Sequence, residues 1–311
     1  MGGNKEKQKM KIVFIILNYN TYEETKECVL SIEDKLDTKD YRIVIVDNCS
    51  SDGSADKLTE FIKCKEQIEI LRNPENLGFA RGNNAGIRYV NKKYNPEYVA
   101  VINSDTEIIS ENLTEVLDKE YKKTGFAVFG PLVLNENGRC DLSPVRPRTE
   151  EDLIKALKRV QQEEKAIKIG MYLFYSRVLY LKRFVSERVF KKQNTKIEDL
   201  FSKRQEQLVL NGCFLVFSNK AFSYIDGFDD RTFLYCEENI LYFLLMKHGL
   251  TTVFSPEIII YHKCGCATDK LKNQKKEKML LLNKYLEESL KVEWEVIKEN
   301  QKREKTQKRV T

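Results

Sequence analysis

Apolar residues in the first third of the chain fall into short unbroken runs, separated by polar or amphipathic stretches. Lys11–Leu17 reads KIVFIIL and ends at Asn18-Tyr19-Asn20, while Arg42–Val46 ends at Asp47-Asn48 with the turn-rich Ser50–Ser54 behind it. Ile68–Leu71 and Tyr98–Ile102 repeat the pattern, followed by Asn73–Gly78 and by Asn103-Ser104-Asp105. Runs of this length suit strands buried on both faces. Helices are predicted between them: one to about Glu33, one behind Ser54 and one from about Ala80 to Lys92. Thr21-x-x-Glu24 has the form of a capping box at the first of these. Strands alternating with helices predict an α/β fold, a mostly parallel sheet flanked by helices. Ligands bind such sheets beyond the carboxyl ends of the strands, where these polar groups gather.

Past Pro144 and Pro147 the pattern changes to long helical stretches, about residues 146–207, with Met171, Phe174, Val178, Leu181 and Val185 at three- and four-residue steps. The α/β pattern returns with a strand at Asn211–Phe217, a helix near Lys220–Ile225 and another beginning near Cys236. Strands at Thr251–Phe254 and Ile258–Tyr261 follow. Beyond Asp269 a long charged helix is expected, fraying over Lys302–Thr311, which has almost no apolar residue. No internal repeat is visible.

Composition narrows the class. With 311 residues, 41% hydrophobic and 10% aromatic, the chain can bury a large core and is not a disordered polymer. Its apolar runs are too short to cross a bilayer, and Met1–Lys11 is polar and lysine-rich, without the apolar segment of a secretory signal. The eight cysteines are scattered and read as reduced thiols. A cytoplasmic protein is expected. The formal charge of +6 is local: residues 146–196 carry fourteen Lys or Arg against six Asp or Glu, a surplus of +8 that leaves −2 elsewhere. A confined basic surface suits a membrane leaflet or a phosphate-bearing lipid, and so a peripheral place on the inner face of the plasma membrane, rather than nucleic acid. The alternative use of this segment is a helical subdomain or a homo-oligomer interface with solvated charges.

Several residues carry candidate chemistry. Asp47 ends a buried strand, where a carboxylate can accept from a base or a ribose; the alternative is a cap on the next turn. In Asn76–Gly86, three glycines and three asparagines crowd a helix start against propensity. Close approach of backbone to a ligand would account for them, with Arg81 meeting a phosphate, as would a purely structural turn. Asp105 is a candidate ligand for a hard divalent cation on a diphosphate. Glu237 and Glu238 open an apolar helix, either as favourable charges at its positive end or as a base facing a cleft. His262 closes the last strand as a metal or phosphate contact or a structural histidine, and with Cys264 and Cys266 it makes a weak metal cluster. His248 reads as structural.

Taken in order, these segments resemble glycosyltransferase family 2, the inverting transferases of the GT-A fold, and within it the rhamnosyltransferase-like, polysaccharide-building members. The matching stretches are Asp47–Ser54, Asn76–Ile87, Asn103–Thr106, Asn211–Phe222, Gly227–Glu238 and Pro256–His262. They imply a glycosyltransferase domain over 10–268, with a nucleotide-binding half (10–135), the basic helical insert and an acceptor half (208–268); residues 269–311 form a charged helical extension. The implied reaction moves a sugar from a UDP- or dTDP-sugar to a hydroxyl of a glycan or lipid-linked acceptor, in cell-surface polysaccharide synthesis. The resemblance implies that Asp47 binds the nucleoside, that Asp105 with His262 holds Mg2+ or Mn2+ on the diphosphate, and that Glu238 is the general base. The donor side would comprise Asn18, Tyr19, Asn20, Asp47, Asn48, Asn76, Gly78, Arg81, Asn84, Asn103 and Ser104; the acceptor side, Asn211, Gly212 and Glu237. Four positions depart from the family pattern: Asn103 and Glu238 stand where Asp is usual, and Ile240 and Leu244 replace an Asp and an Arg. The rival reading is a catalytically weak nucleotide- or partner-binding module.

Overall fold

The computed structural model describes residues 8–136, 138, 144–177, 201–263 and 276–307. One sheet organises the chain. Its first strands are β1 (Gln8–Asn18), β2 (Tyr41–Asp47), β3 (Ile68–Arg72), β4 (Tyr94–Asn103), β5 (Thr106–Ile108) and β6 (Val128–Leu134). β7 (Gln205–Glu206), β8 (Phe214–Ser218) and β9 (Thr252–His262) complete it, in the order β3-β2-β1-β4-β8-β6-β9-β5 with β7 on β9. The first four pair in parallel, β8 runs antiparallel between β4 and β6, and β6 pairs parallel with β9. The helices are α1 (Tyr22–Lys35), α2 (Ser54–Phe61), α3 (Gly78–Lys93), α4 (Leu113–Thr124), α5 (Glu150–Lys168), α6 (Glu237–Lys247) and α7 (Lys276–Gln307).

The unbroken apolar runs have a direct cause. Successive residues of β1 point to opposite faces. Ile12, Phe14 and Ile16 join the core under α1 and α4, while Val13 and Ile15 join the core under α3 and α6. β2 divides the same way, Ile43 and Ile45 against Val44 and Val46. A third cluster lies beside the sheet, where Leu153 and Val160 of α5 meet Ile240 of α6 and Leu290, Val296 and Ile297 of α7.

Some elements differ from expectation. The two strands foreseen at 251–261 are a single strand, in which the pairing with β6 slips across Pro256–Ile258, a bulge that accommodates the proline. The helix foreseen near Lys220–Ile225 is a short 3-10 turn at Asn219–Ser223. Thr21 caps α1 only with its backbone; the reciprocal box stands at α5 instead, where Thr149 Oγ1 accepts from the Asp152 N–H and the Asp152 carboxylate accepts in return. The hydroxyl of Thr21 is engaged elsewhere, with Asn18 and Ser104. The sequence reading names no element at β5, α4 or β6. Of the apolar stripe, Val178, Leu181 and Val185 lie outside the described residues, as do Cys264 and Cys266.

Candidate active site

Register brings three polar strand ends to one level. Asn18 lies opposite Asp47, and Leu17 opposite Asn103. Asn18 joins them: Nδ2 donates to Asp47 Oδ1 (2.7 Å) and to Ser50 Oγ (3.0 Å), while Oδ1 accepts from the hydroxyls of Thr21 (3.1 Å) and Thr25 (2.9 Å). Thr21 Oγ1 also lies 3.0 Å from Ser104 Oγ, a hydroxyl-to-hydroxyl hydrogen bond. Ser50 donates to Asp47 from both its backbone N–H and its hydroxyl. Asp47 is therefore buried, and at rest its carboxylate serves this network. Tyr19 projects outward, and the Asn20 side chain accepts from the Ser51 N–H. Thr21 and Ser50, which the sequence reading does not name as site residues, are the links between strands; small hydroxyl residues just past strand ends were the available signal.

Asn48 arranges the next loop. Its Nδ2 donates to Asn76 Oδ1 and to the Gly78 carbonyl; its Oδ1 accepts from Asn73 Nδ2 and the Leu77 N–H. The glycines that follow have a structural cause. Gly78 stands at φ 75°, where a Cβ would lie 2.3 Å from the Phe233 carbonyl oxygen. A Cβ on Gly82 would meet Leu17 at 2.8 Å, and one on Gly86 would meet Ile15 at 2.6 Å and Val46 at 2.9 Å. These glycines let α3 lie close on the sheet and on the loop before α6. Asn84, expected on the donor side, is buried; it donates to the Phe228 carbonyl (2.8 Å) and to Asp230, and accepts from the Phe228 N–H (2.9 Å). It ties α3 to the 227–236 loop. Arg81 is exposed at the same helix start.

Asp105 and His262 meet across the β5–β9 pair: Asp105 Oδ1 is 3.1 Å from His262 Nε2, with Thr106 opposite His262 in register. The Asp105 carbonyl accepts from the Lys263 N–H at 3.0 Å. A carboxylate beside an imidazole fits a hard divalent cation that takes its other ligands from diphosphate oxygens and water. Among the described residues, no group of three or more His, Cys, Asp or Glu side chains forms a metal cage.

The end of β4 meets the approach to β8 at Asn103, whose N–H donates to the Cys213 carbonyl at 2.9 Å. Gly212 is adjacent, and a Cβ there would lie 2.5 Å from Glu238 Oε1, so only glycine lets that carboxylate sit where it does. Asn211 bends the approach by accepting from the Cys213 N–H. Burial pushes Glu238 above the usual carboxylate range; N–H donation from its own backbone, the nearby charge of Arg148 and the Gly212 N–H oppose this. Glu237 is buried and pushed up to about 8 by burial and by the adjoining Glu238. Ile240 is fully buried in the third cluster, and Leu244 packs at its margin. Their apolar character follows from α5 and α7 lying over α6.

The mostly parallel sheet, with polar strand ends joined to a glutamate-bearing helix, is the architecture of GT-A glycosyltransferases. The family model Glycosyl transferase family 2 matches residues 13–184, and this chain belongs to that family. It is 32% identical over 124 residues to the low-salt glycan biosynthesis hexosyltransferase Agl10 of Haloferax volcanii, 40% of this chain and 37% of that protein. The aligned stretches span 16 to 46% of the length of the curated relatives the chain matches. Among solved structures, the mannosyltransferase PcManGT from Pyrobaculum calidifontis, in complex with GDP-Man and Mn2+, superposes with a TM-score of 0.52 at 12% identity, covering 91% of this chain and 73% of that one. GalNAc-T7 with UDP, GalNAc and Mn2+ gives 0.53 at 13% identity, covering 82% and 43%. At these identities the likeness concerns the fold.

Proposed function

We propose that this chain transfers a sugar from a nucleotide-diphosphate donor to a hydroxyl of a glycan or lipid-linked acceptor, with inversion, in the assembly of a cell-surface polysaccharide. The observation that carries the proposal is the placement of Glu238 on Gly212, one residue from the backbone bond that joins Cys213 to Asn103, and hence beside the strand end that bears Asp105. A base on the acceptor half thereby lies at the edge of the donor half. In this reading Asp47, Asn18, Asn20 and Asn48 shape the nucleoside end, and Arg81 meets the phosphates. Residues 10–135 form the nucleotide-binding half and 208–268 the acceptor half, with 146–207 as an insert and 269–311 as an extension.

Asp105 and His262 would hold Mg2+ or Mn2+, which when bound neutralises the charge of the departing diphosphate. Two transferases of similar fold solved with Mn2+ support this choice. Glu238 takes the proton of the acceptor hydroxyl as its oxygen bonds to the anomeric carbon and the bond to the diphosphate oxygen breaks. A partly buried carboxylate with a raised proton affinity suits that task. Donor hydrolysis tests the scheme. UDP-, dTDP- and GDP-sugars with Mn2+ are offered to the protein and to Asp105→Ala and Glu238→Gln. Metal-dependent release of nucleoside diphosphate from one donor, lost in Asp105→Ala and cut by about 10²- to 10⁴-fold in Glu238→Gln, is expected. No binding of any nucleoside diphosphate would leave the non-catalytic module as the reading.

For the acceptor's location, Ile169, Met171, Leu173 and Phe174 are exposed apolar residues within the basic segment. They support a peripheral contact with anionic lipid. Among the described residues no helix is long and apolar enough to cross a membrane. Flotation with anionic vesicles at low salt is the check, and protein remaining at the bottom of the gradient would remove the membrane from the scheme.

A further inference from the structure

Tyr235 and Cys236, directly ahead of Glu237 and Glu238, both stand in the left-handed region, at φ 79° and 67°. Neither is glycine, and such a conformation persists only where the surroundings impose it. Those surroundings come from outside the sheet. Arg148, in the chain entering α5, donates from Nη1 to Cys236 Sγ at 3.3 Å and to Glu293 Oε2 at 2.6 Å, and its backbone N–H reaches Asn239 Oδ1 at 3.3 Å. Glu293 lies fully buried in α7. The same helix holds the Leu234 carbonyl through Ser289 Oγ (2.9 Å) and stacks Tyr285 on Phe233 with ring centroids 4.5 Å apart. A single residue thus grips the position before the two glutamates and the position after them.

The charges around Glu238 point the same way. Glu237 adjoins it in α6, Glu293 approaches from α7 and the Cys236 thiol lies between them. Among the described residues that bear on Glu238, Arg148 is the cation. We propose that Arg148 is a positioning residue for Glu238: clamped by Glu293, it fixes the turn that launches α6 and supplies the positive charge that this carboxylate faces. The insert and the C-terminal helix then serve the reaction directly, since Arg148 opens the one and Glu293 belongs to the other. The inference rests on Glu238 being the base, but its test reads the carboxyl group itself.

The full chain is labelled with 13C at glutamate side-chain carboxyls, and the Glu238 signal is assigned by its loss in Glu238→Gln. Wild type, Arg148→Met and Arg148→Lys are titrated by NMR. Removing the cation is expected to raise the Glu238 midpoint by about one pH unit or more, with Arg148→Lys restoring part of the shift. Should Arg148→Met fail to fold because Glu293 is left unpaired, Arg148→Met with Glu293→Gln is compared with Glu293→Gln alone, so that only the cation differs. An unshifted Glu238 midpoint in the folded comparison overturns the proposal. Loss of transfer in Glu238→Gln with no shift in the Arg148 variants keeps the base and removes its positioning residue. A shifted titration with Glu238→Gln fully active retains the electrostatic link and removes the base.

Discussion

Around the ends of β1, β2 and β4 the polar side chains hold one another. Asn18 binds Asp47, Ser50 and two threonines, Thr21 binds Ser104, and Asn48 binds the loop ahead of α3. Around the start of α6 they are held from outside: Arg148 enters from the insert and Glu293 from the C-terminal helix, while α5 and α7 cover Ile240. The first region is built from residues close to the strand ends they serve, so its geometry survives as long as the sheet does. The second borrows both apolar cover and charge from segments outside the family-like motifs. That accounts for an apolar residue at Ile240, since a carboxylate buried there under α5 and α7 would be cut off from water.

The comparison breaks most decisively at Ile240. Ile240→Asp, which restores the acidic residue usual in the family, is expected to cost about 3–5 kcal/mol by placing a charge in a sealed apolar cluster. Urea unfolding measures it, and a loss below about 1 kcal/mol would mean that α5 and α7 do not cover the helix in solution. Next comes Gly86→Val, which drives a branched side chain into Ile15 and Val46; overpacking of this kind costs roughly 1–3 kcal/mol, read as a lowered thermal midpoint. A stable Gly86→Val would mean that α3 does not lie this close to Ile15 and Val46 in solution. Asn84→Ala should follow at about 1–3 kcal/mol, because the Phe228 N–H and carbonyl are left unpaired in a buried place. Donor affinity should be unchanged, and weakened nucleotide binding in calorimetry with full stability would contradict the clamp.

The smallest effect within any one pH unit concerns Glu237. Its proton affinity is raised in the folded state, to about 8, so between about pH 5 and 8 the folded chain binds more protons than the unfolded one. Stability should therefore fall as pH rises through that window. Glu293, pushed up to about 7 chiefly by burial, contributes in the same direction over its lower part. Glu237→Gln should flatten the decline without abolishing it. Equal slopes for variant and wild type, from chemical denaturation at pH 6, 7 and 8, would show that Glu237 is ionised in the fold.

Legibility in the sequence followed the range of the forces involved. The alternating strands and helices of the first hundred residues could be read because double-sided burial leaves unbroken apolar runs. The fusion of two expected strands into β9 could not, since Pro256 looks like a break until β6 is seen to absorb it as a bulge. Thr21-x-x-Glu24 and Thr149-x-x-Asp152 are alike as strings. Only the second forms the box, because the hydroxyl of Thr21 is taken by Ser104, eighty-three positions away.

What the sequence determined by itself was the α/β alternation, the polar character of the strand ends and the set of carboxylates able to do chemistry, since all three depend on local pattern and residue type. Which asparagine belongs to the strand-end network and which to a clamp, why three glycines open α3, and what holds the turn before Glu238 were decided only in the tertiary structure. Each depends on backbone or charge brought from a distant segment, and one chain read in order gives no measure of that distance. Arg148 is the plainest case. As a string it is one cation among fourteen in the basic segment; among those the structure describes, it is the one hydrogen-bonded to Cys236 and Glu293.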